Sequence, residues 1–105
     1  MGLNISQETT DRTIRIIVVG EVDLYSSPKL RSAIIGAVPG KVDQIEVDLS
    51  AVNYMDSSGV ATLVEGFKTA REKKKIFLLC SPSVSVMKVL ELAKLDSVFT
   101  ISLDP

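Results

Sequence analysis

The sequence has 105 residues, room for one domain (residues 1–105), and its 46% apolar content supplies one ordinary core. Its 12 basic and 13 acidic residues are spread along the chain with a net charge of −1, so no electrostatic footprint for nucleic acid or an anionic membrane exists. With no histidine and one cysteine, a Ser-His-Asp triad, a Cys-His pair, a structural zinc site and an intrachain disulfide are all excluded.

Leu3 to Glu8 alternates weakly and predicts a short edge strand, and Thr9-Thr10-Asp11-Arg12 suits a hairpin turn. Thr13 to Val19 is a β-branched run closed by Gly20, a strong strand pattern. Ser27-Pro28 reads as an N-cap with proline in the first helical position, where the missing N–H costs nothing. Leu30, Ala33, Ile34, Ala37 and Val38 then recur at helical spacing until Pro39-Gly40. Gln44 to Leu49 alternates, with Ile45, Val47 and Leu49 on one face and Glu46 and Asp48 on the other.

Val60, Leu63, Val64 and Phe67 form the stripe of a second helix, which ends in a solvated basic cluster, Arg71 to Lys75. Ile76 to Cys80 is nearly continuous and apolar, as in a strand covered on both sides, with Cys80 a buried small hydrophobe. Ser81-Pro82 repeats the cap-plus-proline pattern and opens a third helix with Val86, Val89, Leu90 and Ala93 inward. Val98 to Ile101 adds a last short strand. Val47, Leu49, Leu63, Val64, Phe67, Leu78 and Leu90 are the predicted core.

The order β-β-α-β-α-β-α-β predicts an α/β fold, a mixed and mostly parallel sheet with an opening hairpin and three main helices. Partners of such sheets meet the loops beyond the carboxyl ends of the strands. Two loops are expected there, Gly20 to Ser26 and Asn53 to Gly59. No apolar run approaches the ~20 residues of a membrane span, and the first residues lack the basic-then-apolar pattern of a signal peptide. A cytoplasmic protein is expected. Neither GxxxxGK[ST] nor GxGxxG occurs, so no phosphate-binding loop and no cofactor is expected.

Asp56-Ser57-Ser58-Gly59 leads into the second helix and has two compatible explanations. Ser57 or Ser58 caps the helix while Asp56 complements its dipole. Alternatively, an exposed hydroxyl at a helix start is a phosphoacceptor, since phosphate adds about −1.5 to −2 charges beside free N–H groups. Gly20-Glu21-Val22-Asp23 alone would be a strand end followed by a turn with solvated acids.

Taken in order, Gly20-Glu21-Val22-Asp23, Asp48-Leu49-Ser50, Tyr54-Met55-Asp56-Ser57-Ser58-Gly59, Ser81-Pro82-Ser83-Val84 and Leu92 to Phe99 resemble the STAS domain family, specifically bacterial anti-sigma factor antagonists. The resemblance covers nearly the whole chain. It implies a regulatory phosphoprotein, not an enzyme, that binds an anti-sigma factor with serine kinase activity and so frees a sigma factor. It further implies phosphorylation of Ser57, the serine directly after the motif aspartate, reversed by a metal-dependent serine phosphatase. By position Asp23 is the acid near that serine, and Asp23, Asp56, Ser57, Ser58 and Gly59 form the expected partner-binding set. Ala61 stands where many members have a second glycine, and alanine suits a helix better. Two competing functions remain open: an accessory subunit of a transport or lipid-handling complex with Ser57 only a cap, and a nucleotide-binding protein or enzyme using Asp23, Asp56 and magnesium.

Overall fold

The computed structural model describes residues 2–103. Strands β1 (Leu3–Thr10) and β2 (Thr13–Val22) form an antiparallel hairpin with Thr10 opposite Thr13. The loop is only Asp11-Arg12, and Asp11 takes φ 54°, the left-handed conformation that two-residue hairpin loops favour. Helix α1 (Ser27–Ala37), β3 (Gln44–Met55), α2 (Ser57–Glu72), β4 (Ile76–Cys80), α3 (Val84–Leu92) and β5 (Thr100–Ser102) follow.

The sheet order is β1-β2-β3-β4-β5, antiparallel at the first pair and parallel at the other three. Each parallel crossover steps to the next strand in the same direction. Right-handed connections then lay all three helices on one face. The core agrees: Ile14, Ile16 and Val18 of β2, Ile45, Val47 and Leu49 of β3, and Phe77 and Leu79 of β4 join Leu30, Ile34, Leu63, Val86 and Leu90 of the helices.

The other face carries no helix, and this corrects two expectations. β4 is covered on one side only: Ile76 is exposed and Leu78 half-buried, so Leu78 does not belong to the core. Val64 and Phe67 pack against the core while remaining partly accessible, Phe67 with its ring edge-on to Phe99 at 5.7 Å. On the open face, register aligns Arg15 with Glu46 and Asp48 with Cys80. Arg15 bridges Glu46 (2.8 Å) and Asp48 (3.1 Å). Cys80 is buried beside it, and burial pushes its thiol up, away from the reactive thiolate.

Pairing between strands extends them past their local stop signals. β2 runs through Gly20 to Val22, and β3 continues beyond Leu49 through Ser50 and Asn53 to Met55. The two added segments pair with each other, Glu21 with Tyr54 and Val22 with Met55, after register shifts at Ile17/Val19 and Gly20/Glu21. Gly20 is needed inside the strand: its φ is 119°, and a Cβ there would lie 2.3 Å from the Gly2 carbonyl oxygen. The helix starts also shift. α1 begins at Ser27 with Ser26 as the cap position and Pro28 as the second residue. α3 is capped by Ser83, whose Oγ accepts from Val86 N–H, not by Ser81. Val89 is only half-buried, Ala93 is exposed, and β5 begins at Thr100 because a turn occupies 96–98.

Candidate functional site

The paired ends of β2 and β3 deliver two chain segments to one place. Asp56 N–H donates to the Val22 carbonyl (3.1 Å), so the turn after β2 and the start of α2 are neighbours. Beneath them Gly59 is buried, and a Cβ there would come within 2.6 Å of Met55 Cγ and 2.8 Å of Val22 Cγ1. Only glycine lets the first turn of α2 sit this close to the strand ends.

Asp56 is the cap of α2. Its backbone is extended, and its Oδ1 accepts the backbone N–H of Ser58 at 3.0 Å and the Ser58 hydroxyl. The Asp56 carbonyl accepts from Gly59 N–H and Val60 N–H at 3.1 and 3.2 Å. This corrects the expectation that Ser57 or Ser58 performs the capping. Ser58 is half-buried and engaged through its hydroxyl, whereas Ser57 is exposed and its hydroxyl makes no hydrogen bond with the described residues. The two adjacent serines therefore differ in kind: one is tied down, the other is presented.

Asp23 organises its own loop. Its Oδ1 accepts from Tyr25 N–H (2.9 Å), Ser26 N–H (2.9 Å) and lies 3.1 Å from Ser26 Oγ. Ser26 Oγ accepts from Asp23 N–H (2.9 Å) and has its single proton within reach of both Asp23 and the Glu21 carbonyl (2.8 Å). The Ser26 backbone N–H, outweighing burial and helped by the Ser26 hydroxyl and Tyr25 N–H, holds the Asp23 carboxyl below its ordinary value. The carboxylate is thus spent on the loop that displays Leu24 and Tyr25, 68% and 91% exposed.

Half-exposed Tyr54 stands in the motif quoted from the sequence, but neither it nor Leu24 and Tyr25 was given a site role there. Leu24 and Tyr25 lie in a short loop, where an apolar residue has no periodicity to betray it. Asp48, another residue of the resemblance, lies mid-strand on the open face, accepts from Ser50 and pairs with Arg15, away from this site. Among the described residues no group of His, Cys, Asp and Glu is arranged to hold a metal ion. No helix among them is long and apolar enough to cross a membrane.

Comparison with known proteins gives a consistent answer. The family model of the STAS domain matches residues 4–105. The chain is 31% identical over 101 residues to an anti-sigma-B factor antagonist of Listeria monocytogenes, covering 96% of this chain and 88% of that protein. It superposes on an anti-sigma factor antagonist from Mycobacterium paratuberculosis with TM-score 0.89 at 24% identity, covering 98% of this chain and 87% of the other. It also superposes on the anti-sigma factor antagonist SpoIIAA, in its unphosphorylated form (TM-score 0.80, 25% identity, 96% and 90% covered) and, from Bacillus, its phosphorylated form (TM-score 0.74, 24% identity, 96% and 93% covered).

Proposed function

Because the chain belongs to the STAS domain family, we propose that it is an anti-sigma factor antagonist, a binding protein that sequesters an anti-sigma factor and is switched off by phosphate on Ser57. The observation that carries this is the division of labour at α2: Asp56 caps the helix, which leaves the Ser57 hydroxyl exposed and without a structural task. A kinase can take that hydroxyl without first breaking a hydrogen bond or unwinding a turn. The partner-binding set is Asp23, Asp56, Ser57, Ser58 and Gly59. Asp23 and Gly59 act by shaping the two segments, while Ser57 and its exposed neighbours meet the partner. The anti-sigma factor is itself the serine kinase, a metal-dependent phosphatase restores the active form, and the exchange takes place in the cytoplasm.

The test is direct. The chain is incubated with ATP and candidate anti-sigma factor kinases, phosphate is mapped by mass spectrometry, and binding of both forms is measured. Phosphate on Ser57 with loss of binding is the expected result; phosphate on Ser58, or binding indifferent to phosphate, overturns it.

A further inference from the structure

A kinase that reads a linear motif needs the side chains on either side of its acceptor serine. Around Ser57 those side chains are withdrawn. Met55, Gly59 and Val60 are buried, the Asp56 carboxylate is engaged as the helix cap, and the Ser58 hydroxyl is bonded to it. The immediate neighbours of Ser57 in sequence therefore offer a kinase little to hold.

Exposed apolar surface beside Ser57 comes instead from the turn after β2. Tyr25 is the most exposed large apolar side chain among the described residues, and Leu24 stands exposed next to it. Val22, two residues before Leu24, pairs with Met55 and accepts from Asp56 N–H at 3.1 Å. Chain geometry then keeps the Leu24 and Ser57 Cα atoms within roughly 18 Å of each other. One ordinary interface footprint, about 800 Å² per partner, covers both.

The turn is also held ready. The Asp23 side chain accepts from Tyr25 N–H and Ser26 N–H, Ser27 N–H donates to the Asp23 carbonyl at 2.8 Å, and Lys29 N–H to the Ser26 carbonyl at 3.0 Å. An aromatic side chain on a backbone fixed in this way loses little conformational freedom on docking.

We propose that Leu24 and Tyr25 are the anchor by which the anti-sigma factor kinase recognises this chain. They seat in an apolar cleft beside the kinase's nucleotide site, so that Ser57 is selected by the fold and not by the residues flanking it in sequence. This inference rests on the antagonist assignment. In the transfer itself Ser57 Oγ bonds to the γ-phosphorus of ATP, the bond to the departing ADP breaks and the hydroxyl proton is released. Leu24 and Tyr25 take no part in those steps, so their loss should raise KM and leave kcat alone.

Ser57 phosphorylation is followed at varied concentrations of the full chain, with ATP and the kinase that modifies the parent. Leu24→Ser with Tyr25→Ser alters only exposed side chains, so this double variant should melt as the parent does. Its KM should rise at least tenfold, with kcat within twofold. Leu24→Met with Tyr25→Phe keeps the apolar area and should stay within twofold of the parent in KM. Ile76→Thr, an exposed position at the start of β4 and so at the opposite end of the sheet, should also leave KM unchanged. A parental KM in the serine double variant would overturn the anchor and leave the switch standing. So would an equal loss in the Met/Phe pair or in Ile76→Thr, or a loss confined to kcat. Self-association of the parent that the serine pair abolishes, with KM untouched, would assign the turn to a second copy instead. Failure of every anti-sigma factor kinase to modify Ser57 would overturn the antagonist assignment and this inference with it.

Discussion

Asp56 reaches across the first turn of α2 to accept the backbone N–H of Ser58 at 3.0 Å, stepping over Ser57. Because the cap is a carboxylate, it also complements the positive end of the helix. Asp56→Ala should therefore cost about 0.5–2 kcal/mol and Asp56→Asn much less, since an amide oxygen still accepts. Ser57→Ala should stay within about 0.5 kcal/mol of the parent. Urea unfolding of the three variants checks this, and a Ser57→Ala loss as large as that of Asp56→Ala would mean the serine is the cap after all.

Gly59→Ala sets two effects against each other. Alanine gains up to about 1 kcal/mol of helix propensity, but its Cβ must displace Met55 or Val22. Overpacking of this kind costs about 1–3 kcal/mol, so the substitution should destabilise despite the better helix former. Adding Met55→Ala should recover part of the loss. A non-additive double-mutant cycle is the readout, and strict additivity would show that the two residues do not meet.

Leu63 and Leu78 look equivalent by residue type but face opposite environments. Leu63 is fully buried, and Leu63→Ala should cost about 2–5 kcal/mol. Leu78 is half-buried on the face without helices, so Leu78→Ala should cost clearly less. Equal losses in denaturant unfolding would mean that face is covered in solution.

The error at Leu78 shows where sequence pattern stops. Periodicity marked every helix and the buried face of β3, because amphipathic spacing encodes which side is covered, while a β-branched run and a polar turn marked the hairpin. A continuous apolar run such as Ile76 to Cys80 encodes burial without saying from how many sides. The number of covered faces follows instead from strand order, a property of the whole sheet. Gly20, Ser50 and Asn53 misled in the opposite sense: each is a local stop signal that pairing between β2 and β3 overrides. At the site, Asp56-Ser57-Ser58-Gly59 was legible as a motif. Which of its three polar residues capped the helix depended on backbone angles that residue types do not fix.

The Asp23 carboxyl supplies a pH prediction. Its folded value lies below the ordinary 3.8, so its contribution is present above that value and is lost as pH falls through the lower folded one. The loop from Asp23 to Ser26 should stay ordered at pH 5 and loosen only below about pH 4. NMR titration of the Tyr25 and Ser26 amides should give a midpoint under 3.8, absent in Asp23→Asn. A midpoint at or above 3.8 would mean that these hydrogen bonds do not persist in solution.

Phosphate on Ser57 should switch binding without rebuilding the fold. Of the N–H groups that a helix start offers an anion, three are already taken here: Ser58 N–H by the Asp56 carboxylate, Gly59 and Val60 N–H by the Asp56 carbonyl. Pulling the phosphate onto those groups would mean displacing Asp56, so the dianion should remain largely in solvent. There, at ~6 Å from the Asp56 charge, repulsion is roughly 1 kcal/mol, against about 5 kcal/mol at an effective dielectric of ~20. The helix dipole returns about 0.3–1 kcal/mol, so the free phosphoprotein should be nearly as stable as the unmodified one. A docked partner changes both conditions, since it strips water from the phosphate and lowers the local dielectric. The larger repulsion then falls on the complex alone, and each ~1.4 kcal/mol weakens binding tenfold. A loss of several kcal/mol corresponds to a hundredfold or more. Amide shifts on phosphorylation should be confined to residues near Ser57, Tm should move little, and Ser57→Asp, with one charge in place of two, should weaken binding by less than phosphate does. Collapse of α2 in the free phosphoprotein, or full affinity retained by it, would sink the mechanism.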